Sequence, residues 1–132
     1  MTPEGLTTIA SAHDPVATLE RLTAAIAAKG MAVIARIDHA GAAAQVGLAL
    51  RPTEVVVFGN PRAGTGLMQT VQTMGIDLPL KALVWLDETG KTWLSYNEPK
   101  WLAERHGLGA DAEATLAAMT DVLAAIAREA TS

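Results

Sequence analysis

The sequence contains no cysteine, which excludes disulfides, thiolate metal sites, iron–sulfur clusters and cysteine nucleophiles. Aromatic side chains are also scarce, with three tryptophans, one tyrosine and one phenylalanine among 132 residues. Charged residues make up 18% of the chain and hydrophobic residues 50%, a balance that excludes a disordered chain. We therefore expect a single globular domain over residues 1–132 with its own hydrophobic core.

Positive charge is sparse and nowhere clustered, and the formal net charge is −4. Binding to a nucleic-acid backbone depends on clustered lysine and arginine, so we expect no nucleic-acid partner. No apolar run approaches the roughly 20 residues of a membrane-spanning helix. The first residues, Met1 to Glu4, lack the segments of a secretory signal. We expect no membrane partner and a cytoplasmic protein.

The spacing of apolar residues predicts an α+β domain. Strands are expected over residues 6–12, 31–37, 55–58, 82–86 and 92–96. Long helices are expected over 14–30 and 111–130, and shorter ones over 40–46, 65–74 and 100–106. The run over 55–58 is typical of a strand that is buried on both faces.

The strongest local pattern is a β-hairpin whose turn spans residues 87–91. Its residues favour a type I turn followed by Gly90 in a left-handed bulge. In that register Trp85 faces Trp93 across the two strands, and both faces of the hairpin are apolar. The tryptophan side therefore needs a cover, which could be a loop, a ligand or a second subunit.

A glycine-rich stretch follows the strand over 55–58 and resembles two nucleotide-binding motifs only in part. Gly59 and Gly64 have the spacing of P-loop glycines, but Thr65 and Gly66 occupy the positions that need lysine and serine or threonine. The start of a dinucleotide fingerprint at Gly64 fails at Gln69, where its third glycine should lie.

Two interpretations of this corner remain open. Thr65 could cap a helix whose N-terminus, together with Arg62, binds an anion. Alternatively, Asn60-Pro61 only makes a tight strand-to-helix turn.

The three histidines give no metal-binding pair at helical spacing, so we expect no metal site and no cofactor. A single histidine could still bind haem or copper. His39 is the one histidine close to other polar candidates, and a hydrolase or isomerase using His39 with Asp38 or Asp77 is the enzymatic alternative.

Several short motifs together resemble the bacterial and archaeal domain-of-unknown-function family 302. They cover about Asp14 to His106 and comprise Ile37-Asp38-His39-Ala40, Phe58-Gly59-Asn60-Pro61, Gly64-Thr65 with Leu67-Met68, Asp77-Leu78-Pro79-Leu80-Lys81, Val84-Trp85, Gly90-Lys91 and Ser95-Tyr96-Asn97. The chain departs from the family pattern at Gly66, where proline often follows Gly-Thr.

The resemblance implies a fold similar to the TATA-binding-protein-like arrangement. In that fold a curved antiparallel sheet carries helices on one face, in the order β-α-β-β-β-β-α. It also implies a homodimer, which would cover the sheet face that carries Trp85 and Trp93. It implies no chemistry, and the fold name gives an acidic chain no DNA-binding role.

Polar residues of the family pattern fall at the ends of predicted elements, where sites are common. If the strands before Asp38, Asn60 and Tyr96 are neighbours, these groups could converge at one end of the sheet. The candidate ligand-binding residues are Asp38, His39, Asn60, Arg62, Thr65, Asp77 and Tyr96. We assign no catalytic residue and favour a dimeric module for a small, anionic ligand over an enzyme. A partner-binding dimer without any ligand is the third alternative.

Overall fold

A computed structural model describes residues 2–132 of the chain. Five strands form one sheet in the order β1-β5-β4-β3-β2, and all neighbours are antiparallel. The strands are β1 (Leu6–Ala10), β2 (Ala32–Asp38), β3 (Thr53–Gly59), β4 (Leu80–Leu86) and β5 (Thr92–Asn97). The helices are α1 (Pro15–Ala28), α2 (His39–Gln45), α3 (Pro61–Thr70), α4 (Pro99–Arg105) and α5 (Glu113–Thr131), with short 3₁₀ turns at Gln72–Ile76 and Ala110–Ala112. The predicted α+β class and element order are confirmed.

Buried and half-buried side chains alternate along the strands, which shows that the helices cover only one face of the sheet. Val56 and Phe58 of β3, with Val84 of β4 and Leu94 of β5, are fully buried in one core cluster with residues of α1 and α5. Val55 and Val57 on the other face of β3 are only half-buried. The expectation that this strand is buried on both faces is therefore wrong: the Val-Val-Val-Phe run alternates like that of a strand with one covered face.

The hairpin follows the predicted register. Trp85 pairs with Trp93, and their rings stack with centroids 6.1 Å apart. Gly90 has a φ of +87°, the left-handed conformation that the turn requires. The indole N–H of Trp85 donates to Ser95, and that of Trp93 donates to Asp87. Both rings are half-buried on the sheet face opposite the helices, which we call the tryptophan face.

One helix begins earlier than predicted. We expected a helix from Thr65, but α3 begins at Pro61, and the Asn60 side chain accepts from the Arg62 N–H at 3.0 Å. Asparagine before proline is a strong helix start, because asparagine caps the helix and proline already has a helical φ. Gly64 and Gly66 therefore lie inside α3 and not in a loop.

Candidate functional site

A cavity of about 780 Å³ opens at the corner where β3 runs into α3. The start of α3, the segment before β4, one side of α5 and the start of β2 form its walls. The lining residues are Lys29, Met31, Ile34, Gly59, Asn60, Pro61, Arg62, Ala63, Gly64, Thr65, Met68, Leu78, Pro79, Leu80, Ala114, Thr115, Ala118, Met119 and Val122. Its size lies within the roughly 300–1,000 Å³ of typical small-molecule sites. We call it the corner cavity.

The space exists because one side of α5 carries small residues. Ala114 and Ala118 are one helical turn apart and both line the cavity. Alanine at those positions keeps the α5 backbone close to the cavity without filling it. Met119 and Val122 on the same side add apolar surface deeper down.

The lining is apolar except for its rim. Lys29, at the C-terminus of α1, and Arg62, in the first turn of α3, are the charged residues of the lining, and both are exposed. Within residues 2–132 neither forms an ion pair with a carboxylate. Asn60 and Thr65 supply an amide and a hydroxyl at the same rim.

The phosphate-loop interpretation finds no support in this geometry. A phosphate loop needs several N–H groups that point out of an open turn. Here Pro61 has no N–H, the Arg62 N–H is bonded to Asn60, and the Gly64 N–H lies 3.4 Å from the Asn60 carbonyl oxygen. The hydroxyl of Thr65 lies a full turn into α3 and is not its N-cap, contrary to the expected cap.

Of the seven candidate residues, the structure brings Asn60, Arg62 and Thr65 together at the corner cavity. Asp38 and His39 lie at the opposite end of the sheet, because β2 and β3 are antiparallel and Asp38 pairs with Glu54 at the start of β3. The expected convergence of Asp38 with Asn60 is therefore wrong. Its error was to treat the ends of successive strands as one end, which holds only for parallel strands.

Asp38 acts as the predicted helix cap, and His39 has no carboxylate partner. The Asp38 carboxylate accepts from the Gly41 N–H at 2.9 Å, at the start of α2. The His39 ring is exposed and makes no hydrogen bond within residues 2–132. Nothing in this arrangement orients His39 for proton transfer.

Asp77 belongs to a separate polar cluster. Its carboxylate lies 2.5 Å from Nε2 of His106 and accepts from Arg105 Nη1 at 3.0 and 3.1 Å. Nδ1 of His106 lies 2.9 Å from the Thr73 hydroxyl. His106 and Asp77 have only 8% and 15% of their side chains exposed, so the cluster joins α4 to the segment before β4. We call it the Asp77 cluster. The enzymatic alternative that used His39 with Asp77 has no support here, since Asp77 pairs with His106.

Tyr96 lies on the covered face of β5 and not in the cavity. Burial and, next, the charge of Glu98 raise the pKa of its phenol above the ordinary value of 10.0. The phenol therefore stays neutral at physiological pH and serves as a core residue.

Sequence reasoning missed the part of the site that α1 and α5 supply. Lys29 follows the last turn of α1, and nothing in its local pattern links it to a corner about thirty residues away. Ala114 and Ala118 lie one turn apart, but α5 is rich in alanine along its whole length, so its sequence does not distinguish these two positions. Among residues 2–132, no group of three or more histidine, aspartate or glutamate side chains could hold a metal ion.

The model of the family described as "Domain of unknown function DUF302" matches residues 7–126, from β1 almost to the end of α5. The chain belongs to the DUF302 family. A solved structure gives the same fold: the crystal structure of an uncharacterized conserved DUF302 protein from Bacillus stearothermophilus superposes with a TM-score of 0.86. The two chains are 19% identical in sequence, and the match covers 97% of this chain and 99% of the Bacillus stearothermophilus chain.

Curated relatives are longer than this DUF302 chain. The proteins named fluoride-specific ion channel FluC 1 from Brucella suis biovar 1 and Brucella abortus biovar 1 are both 48% identical to it over 115 residues. The match covers 87% of this chain but only 45% and 43% of theirs. The chain thus spans less than half the length of these relatives. No helix between residues 2 and 132 has the length and apolar character to cross a membrane.

Proposed function

We propose that this DUF302 domain binds a small molecule in the corner cavity and is not itself an enzyme. The single observation that supports binding is the cavity of about 780 Å³, with an apolar wall and a few polar groups at its rim. That combination is typical of ligand sites, in which apolar surface supplies affinity and a few polar groups fix orientation.

The chemistry of the lining supports binding over catalysis. Among residues 2–132, the lining contains no carboxylate and no imidazole, the groups that most often transfer protons in enzymes. The alternative hydrolase or isomerase would need His39, which lies at the other end of the sheet without a carboxylate to orient it. The polar groups of the cavity are suited to holding a molecule in place.

A matched pair of variants tests the binding proposal. Ala118→Trp fills the cavity from α5, whereas Ala24→Trp places the same side chain on an exposed position of α1 outside it. A thermal-shift and NMR screen of metabolites should give compounds that stabilise wild type and Ala24→Trp but not Ala118→Trp. Stabilisation of Ala118→Trp by the same compounds, or of no variant by any compound, would contradict the proposal.

We also infer that two copies associate through the tryptophan face and the exposed apolar side chains next to it. Several apolar side chains remain exposed on β2 and in the connection from β2 to β3. They are Ile37 at 46%, Val46 at 72%, Leu48 at 65% and Leu50 at 48%. Ile37 pairs with Val55, which in turn pairs with Leu83 on the tryptophan face, so the apolar surface is continuous to the edge strand. A second copy related by twofold symmetry would cover the same surface on both chains.

The dimer is tested by adding charge to that surface. Wild type should sediment with twice the 13.7 kDa of one chain, and Ile37→Asp with Leu48→Glu should sediment as a monomer. Ile76→Glu changes an equally apolar side chain, 73% exposed, outside this surface and should leave the dimer intact. A dimer that forms without any ligand in the screen would favour the partner-binding alternative, and a wild-type monomer would contradict the inference.

The curated relatives favour a second candidate role. In them a similar domain forms part of a longer chain that is named a fluoride-specific ion channel. Covalent linkage raises the effective concentration of one domain at another, so joined domains readily act on each other. We infer that this domain acts as an accessory of such a channel.

The accessory role is tested in the Brucella suis relative. Removing the 115 matched residues should change fluoride efflux from vesicles, and adding this domain in trans should restore it in part. Identical efflux with and without the matched residues would contradict the accessory role.

A further inference from the structure

We propose that the corner cavity selects an amphipathic anion, a molecule with one anionic head, such as a carboxylate, and an apolar body. The proposal rests on ligand binding in this cavity and names the chemical class of the ligand. The head would lie at the rim beside Lys29 and Arg62, and the body would pack against α5 and the segment before β4.

The charge of the lining is opposite to that of the chain. The protein has fourteen acidic and ten basic residues and a formal net charge of −4. The cavity lining nevertheless includes Lys29 and Arg62 and, in the part of the chain that the structure describes, no aspartate or glutamate. Its local charge is therefore positive, which attracts an anion and repels a cation.

Most lysines and arginines within residues 2–132 form no ion pair with a carboxylate, and Lys29 and Arg62 are among them. Arg36 pairs with Glu54 at 2.5 Å, and Arg105 pairs with Asp77 at 3.0 Å. Within the described part of the chain, Lys29 and Arg62 have no carboxylate partner although they lie on the same cavity. An anionic head would supply the missing partner to both side chains, and bonds to charged groups are the stronger hydrogen bonds in proteins.

Neutral donors at the rim are available to the same head. Asn60 uses its side-chain oxygen to accept from the Arg62 N–H, which leaves its NH₂ group as a donor. The hydroxyl of Thr65 lies at the same rim. At the start of α3, Pro61 has no N–H and the N–H groups of Arg62 and Gly64 are bonded to Asn60, so recognition depends chiefly on side chains.

The apolar wall requires a ligand with an apolar body. Met68, Leu78, Leu80, Met119 and Val122 line the interior, and none of them can replace the hydrogen bonds of a hydrated ion. Inorganic phosphate alone would contact the rim and leave this surface wet. A molecule with a hydrocarbon or aromatic body would bury the wall and gain affinity from it.

Three compounds with the same ten-carbon chain separate these contributions: decanoate, 1-decanol and decyltrimethylammonium. By calorimetry at low ionic strength, wild type should bind decanoate at least about tenfold more tightly than 1-decanol, as expected for a head that is hydrogen-bonded to two charged groups. The cationic compound should bind most weakly.

The Lys29→Gln and Arg62→Gln double variant should lose that tenfold advantage for decanoate and keep its affinity for 1-decanol. Lys100→Gln, an exposed lysine outside the corner cavity, should change neither.

The outcomes of this experiment distinguish a failure of the amphipathic-anion proposal from a failure of ligand binding itself. Equal binding of decanoate and 1-decanol, or an unchanged preference in the double variant, would overturn the anionic head while leaving ligand binding intact. Displacement of decanoate by inorganic phosphate at similar concentration would overturn the apolar body. If none of the three compounds binds wild type, and Ala118→Trp alters no ligand response in the metabolite screen, both proposals fail together.

Discussion

The corner cavity and the Asp77 cluster both lie next to the segment that leads into β4, but their polar groups have different partners. In the Asp77 cluster the imidazole of His106 and the guanidinium of Arg105 both bond to the Asp77 carboxylate, at 2.5 to 3.1 Å. At the corner cavity the two cations share the rim with Asn60 and Thr65 and have no carboxylate partner within the described residues. Groups that satisfy one another contribute to stability, whereas groups left without a partner beside a cavity are available to a ligand. The variants below test this contrast, from the largest expected effect to the smallest.

Asp77→Ala should give the largest loss of stability. It removes the shared acceptor of His106 and Arg105 and leaves the nearly buried imidazole with one fewer partner. We expect the free energy of unfolding to fall by about 2 kcal/mol, as for the loss of a hydrogen-bonded charged group. Urea denaturation followed by tryptophan fluorescence measures this loss.

The matched control is Glu104→Ala, which removes an exposed carboxylate from the same helix, α4. It should change the free energy of unfolding by less than about 0.5 kcal/mol. If Asp77→Ala were equally mild, or if it abolished ligand binding at the corner cavity, the division between the two regions would be wrong.

The local turns and caps could be predicted from the sequence, whereas the long-range contacts of the two regions could not. The hairpin, the Trp85 pairing and the cap by Asp38 depend on local turn and cap chemistry, and each is present in the structure. The pairing of Asp77 with His106 joins residues 29 positions apart, and no local pattern determines it. The same is true of Lys29 at the corner cavity, which tertiary packing of α1 and α5 places there.

Gly66→Ala should stabilise the domain by about 0.8 kcal/mol, because glycine inside a helix costs roughly that much relative to alanine. Gly66 lies within α3, and a Cβ at that position would meet no atom within 4 Å. Gly66 is also outside the cavity lining, so ligand affinity should not change. Thermal or urea unfolding measures the gain, and a loss of stability or of binding would show that the corner needs a flexible α3.

Asp87 extends the contrast to the hairpin, because its carboxylate is also satisfied within the protein. Hydrogen bonds from the side chains of Trp93 and Thr89 lower the pKa of Asp87 well below its ordinary value of 3.8. Because the pKa of Asp87 is lower in the folded than in the unfolded chain, the ionised carboxylate stabilises the native state at pH values above about 4. This contribution is lost progressively as the pH falls below that value. The difference in unfolding free energy between wild type and Asp87→Asn should therefore be constant near neutral pH and shrink on acidification. A difference that does not change with pH would mean that these bonds do not favour the ionised carboxylate.

The smallest effect on stability should come from the cations of the corner cavity. Lys29→Gln and Arg62→Gln remove charges that contact no carboxylate in the described structure, so each should change the free energy of unfolding by less than about 0.5 kcal/mol. Binding sites often retain groups that do not stabilise the fold. If unfolding is unchanged and the preference for decanoate is lost, the charges of Lys29 and Arg62 serve ligand binding and not stability. A loss as large as that of Asp77→Ala would instead mean that Lys29 and Arg62 hold the protein together and that the two regions do not differ.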